Sequence, residues 1–341
     1  MSKKVKWTLF VGILVLGAAG LAFHLADGPR RIAIASQPKK EADPAESATK
    51  AQAEALFDEV FYRGQYDRIG EVLVAQKAAY LENPRDPELA LHIAHLHLWR
   101  IAERSRQGEA MLPTVVDDMT LARRYFLEAK KLAPDDARID GWIGGATLGE
   151  GAIHGDRRQL LDGYFTLRES AERYPAFNLF SFAFVMGNRP HDDPRFEEAI
   201  EAMFENMDIT NHAPMDRSNP TIADKLEVRA NESDPDTKRA VGNTRLAPHN
   251  VEGFFLAFGD MLVKQGNTRV ARIIYENAKH NPDYPKWPYR WLLEDRLANL
   301  DANVELFRAF EPTREAMMAP EVWRRGIVLN SYPCMICHEA E

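Results

Sequence analysis

The chain has 341 residues, 43 Lys+Arg against 51 Asp+Glu, 45% hydrophobic residues and two cysteines. That length serves one large or two modest domains with a real core, and the ordinary charged and aromatic content excludes a disordered chain. A net charge of −8 argues against a nucleic-acid binder, which needs a clustered basic face, while two cysteines exclude a disulfide scaffold and a cysteine-ligated iron–sulfur cluster.

Residues 1–30 read as an N-terminal membrane anchor. Residues 1–6 bring three lysines, and residues 7–23 (WTLFVGILVLGAAGLAF) form a run of seventeen without a charge. This is the short edge of a transmembrane helix and exceeds the usual apolar core of a signal peptide. Gly20-Leu21-Ala22 and Ala33-Ile34-Ala35 are small-residue cleavage sites, so a cleaved signal is the alternative. Lys3, Lys4 and Lys6 are matched by Arg30, Arg31, Lys39 and Lys40, and the charge count leaves orientation open. Residues 31–50 follow as a flexible linker, with Pro, Ala and charge but no apolar period across 36–47 (SQPKKEADPAES).

Residues 51–310 read as helix after helix. Apolar residues recur at helical spacing, as in Leu89, Ile93 and Leu96, or Leu121, Tyr125 and Leu132. No alternating β-branched run with a hairpin turn interrupts them, so the fold class is all-α. In residues 121–136 the small residues Ala122 and Ala129 flank Phe126, with Pro134 closing at offsets 0, 4, 7 and 12. Gly163, Leu167, Ser170 and Pro175 repeat the pattern, and Ala271, Tyr275, Ala278 and Pro282 repeat it with the proline one residue early. Small residues let helices approach, an aromatic fills the gap, and proline stops the helix. Together with Phe255, Phe258 and Gly259 upstream of Ala271, these spacings resemble the tetratricopeptide (TPR) repeat. The resemblance implies a curved array of helix pairs whose groove docks a protein partner.

An irregular insertion is expected around residues 206–250, rich in Asn, Asp, Pro and Gly and carrying Met207, His212, Met215 and His249. The glycine-rich 141–151 segment (GWIGGATLGEG) follows no strand and lacks G-K-[ST], so it is read as close helix packing. His92 and His95 lie one turn apart without a third ligand at matching spacing and are read as packed or surface histidines. Acidic pairs such as Glu197 and Glu198 read as a solvated helix face, and no hydrolase or transferase signature is present.

The sharpest chemical signal is Cys334-Met335-Ile336-Cys337-His338, within a C-terminal segment 311–341. Two intervening residues put both thiols on one helical turn, with the histidine directly after. Redox thiols and half of a zinc site are the other readings of such a pair, although no strand precedes it and no second pair exists. The motif resembles the attachment signature of c-type cytochromes. The resemblance implies one covalent haem c, with Cys334 and Cys337 as thioether links and His338 as the iron ligand. It also implies a single-pass protein of the cytoplasmic membrane with its bulk in the periplasm.

Small soluble members of that family carry the motif near their start, whereas here only three residues follow His338. The pocket must come from upstream residues, with Met317, Met318, Val322, Trp323, Ile327, Val328 and Leu329 as packing candidates that equally suit a terminal helix core. Met317, Met318, His212, Met215 and His249 are candidates for the sixth iron position, which the sequence does not select. The function expected is one-electron transfer within or beside a larger redox assembly, the array docking the partner. The alternatives are a non-redox adaptor of the cell envelope with a structural or sensory haem, and a haem enzyme with an open distal site. An electron carrier or complex subunit is favoured over a stand-alone enzyme.

Overall fold

The computed structural model describes residues 3–25, 27–38, 40–104, 112–309 and 334–340, and among these residues every regular element is a helix. The chain divides into two compact units, Met1–Glu41 and Ala42–Glu341. The first holds α1 (Lys3–Leu25) and α2 (Gly28–Ala35). On α1 the side chains of Trp7, Ile13, Val15, Leu16, Leu21 and Phe23 are exposed. Among the described residues no helix is long and apolar enough to cross a membrane. Leu9, Phe10, Val11 and Leu14 of the same apolar run lie outside the residues whose side chains are described.

The second unit contains α3 (Ala48–Val60), α4 (Ile69–Glu82), α5 (Pro87–Ala102), α6 (Asp117–Leu132), α7 (Arg138–His154) and α8 (Arg157–Arg173). It continues with α9 (Pro175–Met186), α10 (Pro194–Thr210), α11 (Leu226–Ala230), α12 (Pro235–Val241), α13 (Asn250–Gln265) and α14 (Thr268–Asn277). The last elements are α15 (Arg290–Ala298), α16 (Leu300–Ala309) and α17 (Met335–His338).

Short connections turn consecutive helices into hairpins, and their chemistry is local. Gly155 and Gly266 take left-handed φ values of 65° and 97° and end α7 and α13, a conformation that costs other residues about 1 kcal/mol or more. Asp156 and Asn267 follow at once, the first accepting two backbone N–H groups of the next helix and the second one, so stop and start signals are adjacent. Asp86-Pro87 and Asp193-Pro194 open α5 and α10 with the same capping device and proline at the first helical position.

Helices approach closely at three glycines. A Cβ at Gly144 would lie 2.6 Å from the Leu167 backbone nitrogen, and one at Gly163 would lie 2.5 Å from that of Leu148. At Gly259 an added Cβ would fall 2.1 Å from the Tyr275 ring. Ala122, Phe126, Ala129 and Leu167 are wholly buried. Beneath the α13–α14 hairpin, Tyr275 donates its hydroxyl to Asp260 at 2.6 Å, and Arg296 pairs with the same carboxylate at 3.2 Å. All three are buried, so each satisfies the others' polar atoms.

Two expected boundaries shift. The tether is shorter than 31–50, because α2 runs to Ala35 and Asp43 already donates its N–H to Arg85 O at 3.0 Å. The irregular insertion starts after Thr210 and not at Asn206, and it contains α11 and α12. Asn206 stays helical because its amide donates to Ala176 O at 2.8 Å, which replaces the local backbone bonds that usually draw asparagine out of helices. The insertion is tied down where Asn277 accepts from Ile222 N at 3.0 Å and donates to Pro220 O at 2.8 Å. Met317, Met318, Val322, Trp323, Ile327, Val328 and Leu329 lie outside the described residues.

Candidate functional site

α17 is a single turn holding Cys334 at its start and His338 at its end, and it is docked into the second unit by groups far away in sequence. Glu103, just past α5 and wholly buried, accepts from Cys334 N at 2.7 Å and Met335 N at 3.1 Å through one carboxylate oxygen. A carboxylate on the free N–H groups of a helical start gains both charge-assisted bonding and the favourable end of the backbone dipole. Trp287 donates its indole N–H to Ile336 O at 2.8 Å, and His249 donates its backbone N–H to Cys337 O at 3.0 Å. Met335 and Ile336 are buried, with relative exposures of 1% and 0%. The motif is thus bonded through its backbone and packed through its apolar pair.

Two glycines shape the seat. Gly64 has φ 66°, and a Cβ there would lie 2.8 Å from both Glu339 Cα and Met335 Cε. Gly253, inside α13, faces Cys337, where a Cβ would stand 2.3 Å from Sγ and 3.2 Å from Ile336 O. Gly253→Ala is therefore expected to work against its own helix propensity. Alanine gains about 1 kcal/mol over glycine in a helix interior, while overpacking against sulfur and backbone costs about 1–3 kcal/mol. The expected result is faster labelling of Cys337 by a thiol reagent, with Gly253→Ala turning stabilising to urea once Cys337→Ala removes the sulfur. Unchanged labelling in the single variant would contradict the seat.

The three motif side chains have distinct environments. Cys334 is half-buried and Cys337 is buried. Burial, with the nearby Glu252 charge adding, pushes the Cys337 thiol up to about 12. It stays protonated at neutral pH, unlike the low-pKa cysteine of a thiol–disulfide exchanger. The Nδ1 of His338 is 2.7 Å from Leu246 O. A carbonyl only accepts, so Nδ1 carries the proton and Nε2 presents its lone pair. Burial lowers the His338 pKa, with the Leu246 hydrogen bond opposing, and keeps the ring neutral. A neutral imidazole fixed by one nitrogen is the arrangement a metal-ligating histidine uses.

His338 opens toward an aromatic inner face. Its ring centroid is 5.5 Å from that of Phe61, which stacks on Phe57 at 4.7 Å and meets His95 at 6.1 Å. His95 in turn touches Phe126 at 5.3 Å and Trp142 at 5.1 Å, edge to face. The HIAHLH run of α5 is sorted by helical position. His92 stacks on Phe57 at 3.9 Å, whereas His97 turns to the other side and pairs with Asp118 at 2.6 Å. His92 and His95 are packed against aromatics, and His212 pairs with Glu232 at 2.6 Å. Met207 and Met215 are buried in the core. Among the described residues no group of three or more His, Cys, Asp or Glu side chains converges as a metal site.

Glu103, Gly253, Leu246 and Trp287 carry no local signal in the sequence. Glu103 reads as one more charge after an amphipathic helix, and Gly253 as a weak point in one. Comparison with protein-family models, with curated proteins and with solved structures finds no match.

Proposed function

We propose that the protein is a membrane-anchored mono-haem c-type cytochrome, with Cys334 and Cys337 as covalent attachment points and His338 as an axial ligand. The observation that carries the reading is the pairing of the C-x-x-C-H turn with a neutral His338 whose Nδ1–H is committed to Leu246 O at 2.7 Å. The residues fit such a group. Gly253 accommodates the Cys337 sulfur, and Phe61 lies against the ligand ring. Cys334 and Cys337 would hold the group through thioether bonds, each thiol hydrogen going to the other vinyl carbon, with no oxidant required. The high pKa of Cys337 disfavours the thiol–disulfide reading.

A haem held here supplies one-electron exchange at a potential set by its axial ligands and surroundings. The chain's own residues hold the turn (Glu103, Trp287), fix the imidazole tautomer (Leu246) and line one side with aromatic rings. The small-residue contacts at Gly144, Gly163 and Gly259 support TPR-like helix pairs, and such an array docks a protein partner. The exposed apolar residues of α1 support a single-pass anchor, with Ala42–Glu341 in the periplasm. The same array also serves an envelope adaptor with a structural or sensory haem.

The decisive experiment is expression of the full chain with a cytochrome c maturation system, followed by a pyridine haemochrome spectrum of the denatured protein. One covalent haem per chain is expected in the wild type, and Cys334→Ala/Cys337→Ala should retain none after acid–acetone extraction. A wild type without covalent haem would overturn the reading. Reduction and reoxidation by respiratory donors and acceptors then separates carrier from adaptor.

A further inference from the structure

We propose that the His97–Asp118 pair is an acid-sensitive latch on the seat of the motif turn, closed at neutral pH and opened as the imidazole takes up a proton. Both side chains are buried and join α5 to α6, with His97 Nδ1 standing 2.6 Å from Asp118 Oδ1. The carboxylate accepts, so Nδ1 carries the proton of a neutral ring. His97 Nε2 is buried as well and, among the described residues, has no hydrogen-bond partner. A proton placed there creates a buried donor with nothing to receive it, which is a costly arrangement.

The charges around the ring add to that cost. Arg100 on the same helix has its Nε 3.5 Å from Asp118 Oδ2, so the one carboxylate already answers a guanidinium. Lys77 of α4 acts on both His97 and Asp118, and burial lowers its own pKa. A protonated His97 is thus a third cation around a single carboxylate. Tyr125 of α6 stacks on the imidazole at 6.2 Å, and Tyr80 of α4 meets Tyr125 edge to face at 5.6 Å. Burial raises the pKa of both phenols and of Tyr66, just before α4, so none supplies a counter-charge. Burial likewise lowers the His97 pKa, with the Asp118 hydrogen bond opposing and Lys77 adding.

The pair bears on the motif through the end of α5. Glu103 closes that helix with its backbone N–H on Trp99 O at 2.9 Å, less than two turns after His97. Its carboxylate is spent on Cys334 N and Met335 N. Tyr66 donates to Arg100 O at 3.3 Å and Arg104 to Ile101 O at 2.6 Å, while Asp118 holds the same stretch through His97 and Arg100. Opening of this stretch exposes His97 and takes the carboxylate from α17 in one event. An imidazole whose folded pKa is depressed contributes stability that is full above its usual 6.5 and declines as pH falls below it.

The test follows amide hydrogen exchange of the full chain from pH 7.5 to 5, corrected for the intrinsic pH dependence of exchange. Opening at Met335 and Ile336 is read against α8. His338, His249 and Glu252 lie at or beside α17, so the wild type is compared with His97→Asn, which keeps a donor for Asp118 and does not titrate. The ratio of wild-type to His97→Asn opening should rise about tenfold across that range, under a ceiling of about thirtyfold for an ordinary histidine at pH 5. Asp118→Asn removes the charge that offsets the proton and should carry the acid response toward the ceiling. His92→Asn, on the other side of α5, should respond as the wild type does. A ratio constant within twofold would overturn the latch, as would an acid response in α5 and α6 that leaves Met335 unmoved. So would a His97 ring signal that titrates at or above pH 6.5 in the folded wild type. The latch stands apart from the haem reading, which the haemochrome spectrum tests separately.

Discussion

Replacing Glu103 with alanine is expected to release α17 from its seat while leaving the hairpins of the array intact. One carboxylate oxygen accepts from Cys334 N at 2.7 Å and Met335 N at 3.1 Å, and Met335 is buried, so the variant strands two donors. Each buried donor left unsatisfied costs about 1–3 kcal/mol, more when the lost partner was charged. The combined effect on docking is about 3 kcal/mol, or roughly a hundredfold in the docked-to-undocked ratio. Amide hydrogen exchange should quicken by that factor at Met335 and Ile336, with little change in α7 and α8. Glu103→Gln keeps an oxygen acceptor at the same reach and loses only the charge, so it should cost about 1 kcal/mol. If both variants exchange at the wild-type rate, α17 is held by its apolar contacts alone. In the haem-bearing chain the same loosening should lower the yield of covalent haem, because the thiols and His338 are no longer presented together.

The contrast between Glu103 and the motif it holds shows what was legible in the sequence. The helices could be read because their signals are contiguous, as in Leu89, Ile93 and Leu96, or Ala122, Phe126, Ala129 and Pro134. Cys334, Cys337 and His338 could be singled out for the same reason. The supporting residues could not, since Glu103 stands 231 residues before Cys334 and Leu246 stands 92 before His338. Their roles exist only after the helices have packed, bringing the segment before α13 to α3, where Arg245 pairs with Asp58 at 2.6 Å and lies over Tyr62. The spacing of His92, His95 and His97 announces two faces of one helix, but which face meets His338 is a tertiary fact. Asn206 misled for a related reason: a helix-breaking residue was held in place by a carbonyl from a neighbouring helix.

Glu252→Gln is expected to stabilise the protein at pH 8 by about 2 kcal/mol and to leave it nearly unchanged at pH 4.5. Glu252 is wholly buried in the first turn of α13, behind Cys337. Burial is the main cause that lifts its carboxyl from 4.5 to about 7, against the pull of its own backbone and of Asn243, whose amide donates at 3.0 Å. The folded state therefore holds this proton more tightly than the unfolded chain. Its contribution to stability is fully present below 4.5, declines as pH rises to about 7, and is level above that. The interval corresponds to about 3 kcal/mol at roughly 1.4 kcal/mol per pH unit, reduced in practice by local relaxation.

Wild-type stability alone will not reveal this slope. His92, lowered by burial from 6.5 to about 4, binds fewer protons folded than unfolded, so it contributes the opposite slope over much of the same range. Lys264, lowered by burial to about 8, acts only above that window. The difference between wild type and Glu252→Gln at each pH cancels both, because the glutamine keeps the Asn243 contact and removes only the titration. Urea unfolding at intervals from pH 4.5 to 8 should show that difference growing with pH and reaching a plateau above 7. A constant difference across the range would mean that Glu252 is ionised throughout in the folded state. In that event the buried charge beside Cys337 would have to be balanced by His249, whose ring lies 4.0 Å away.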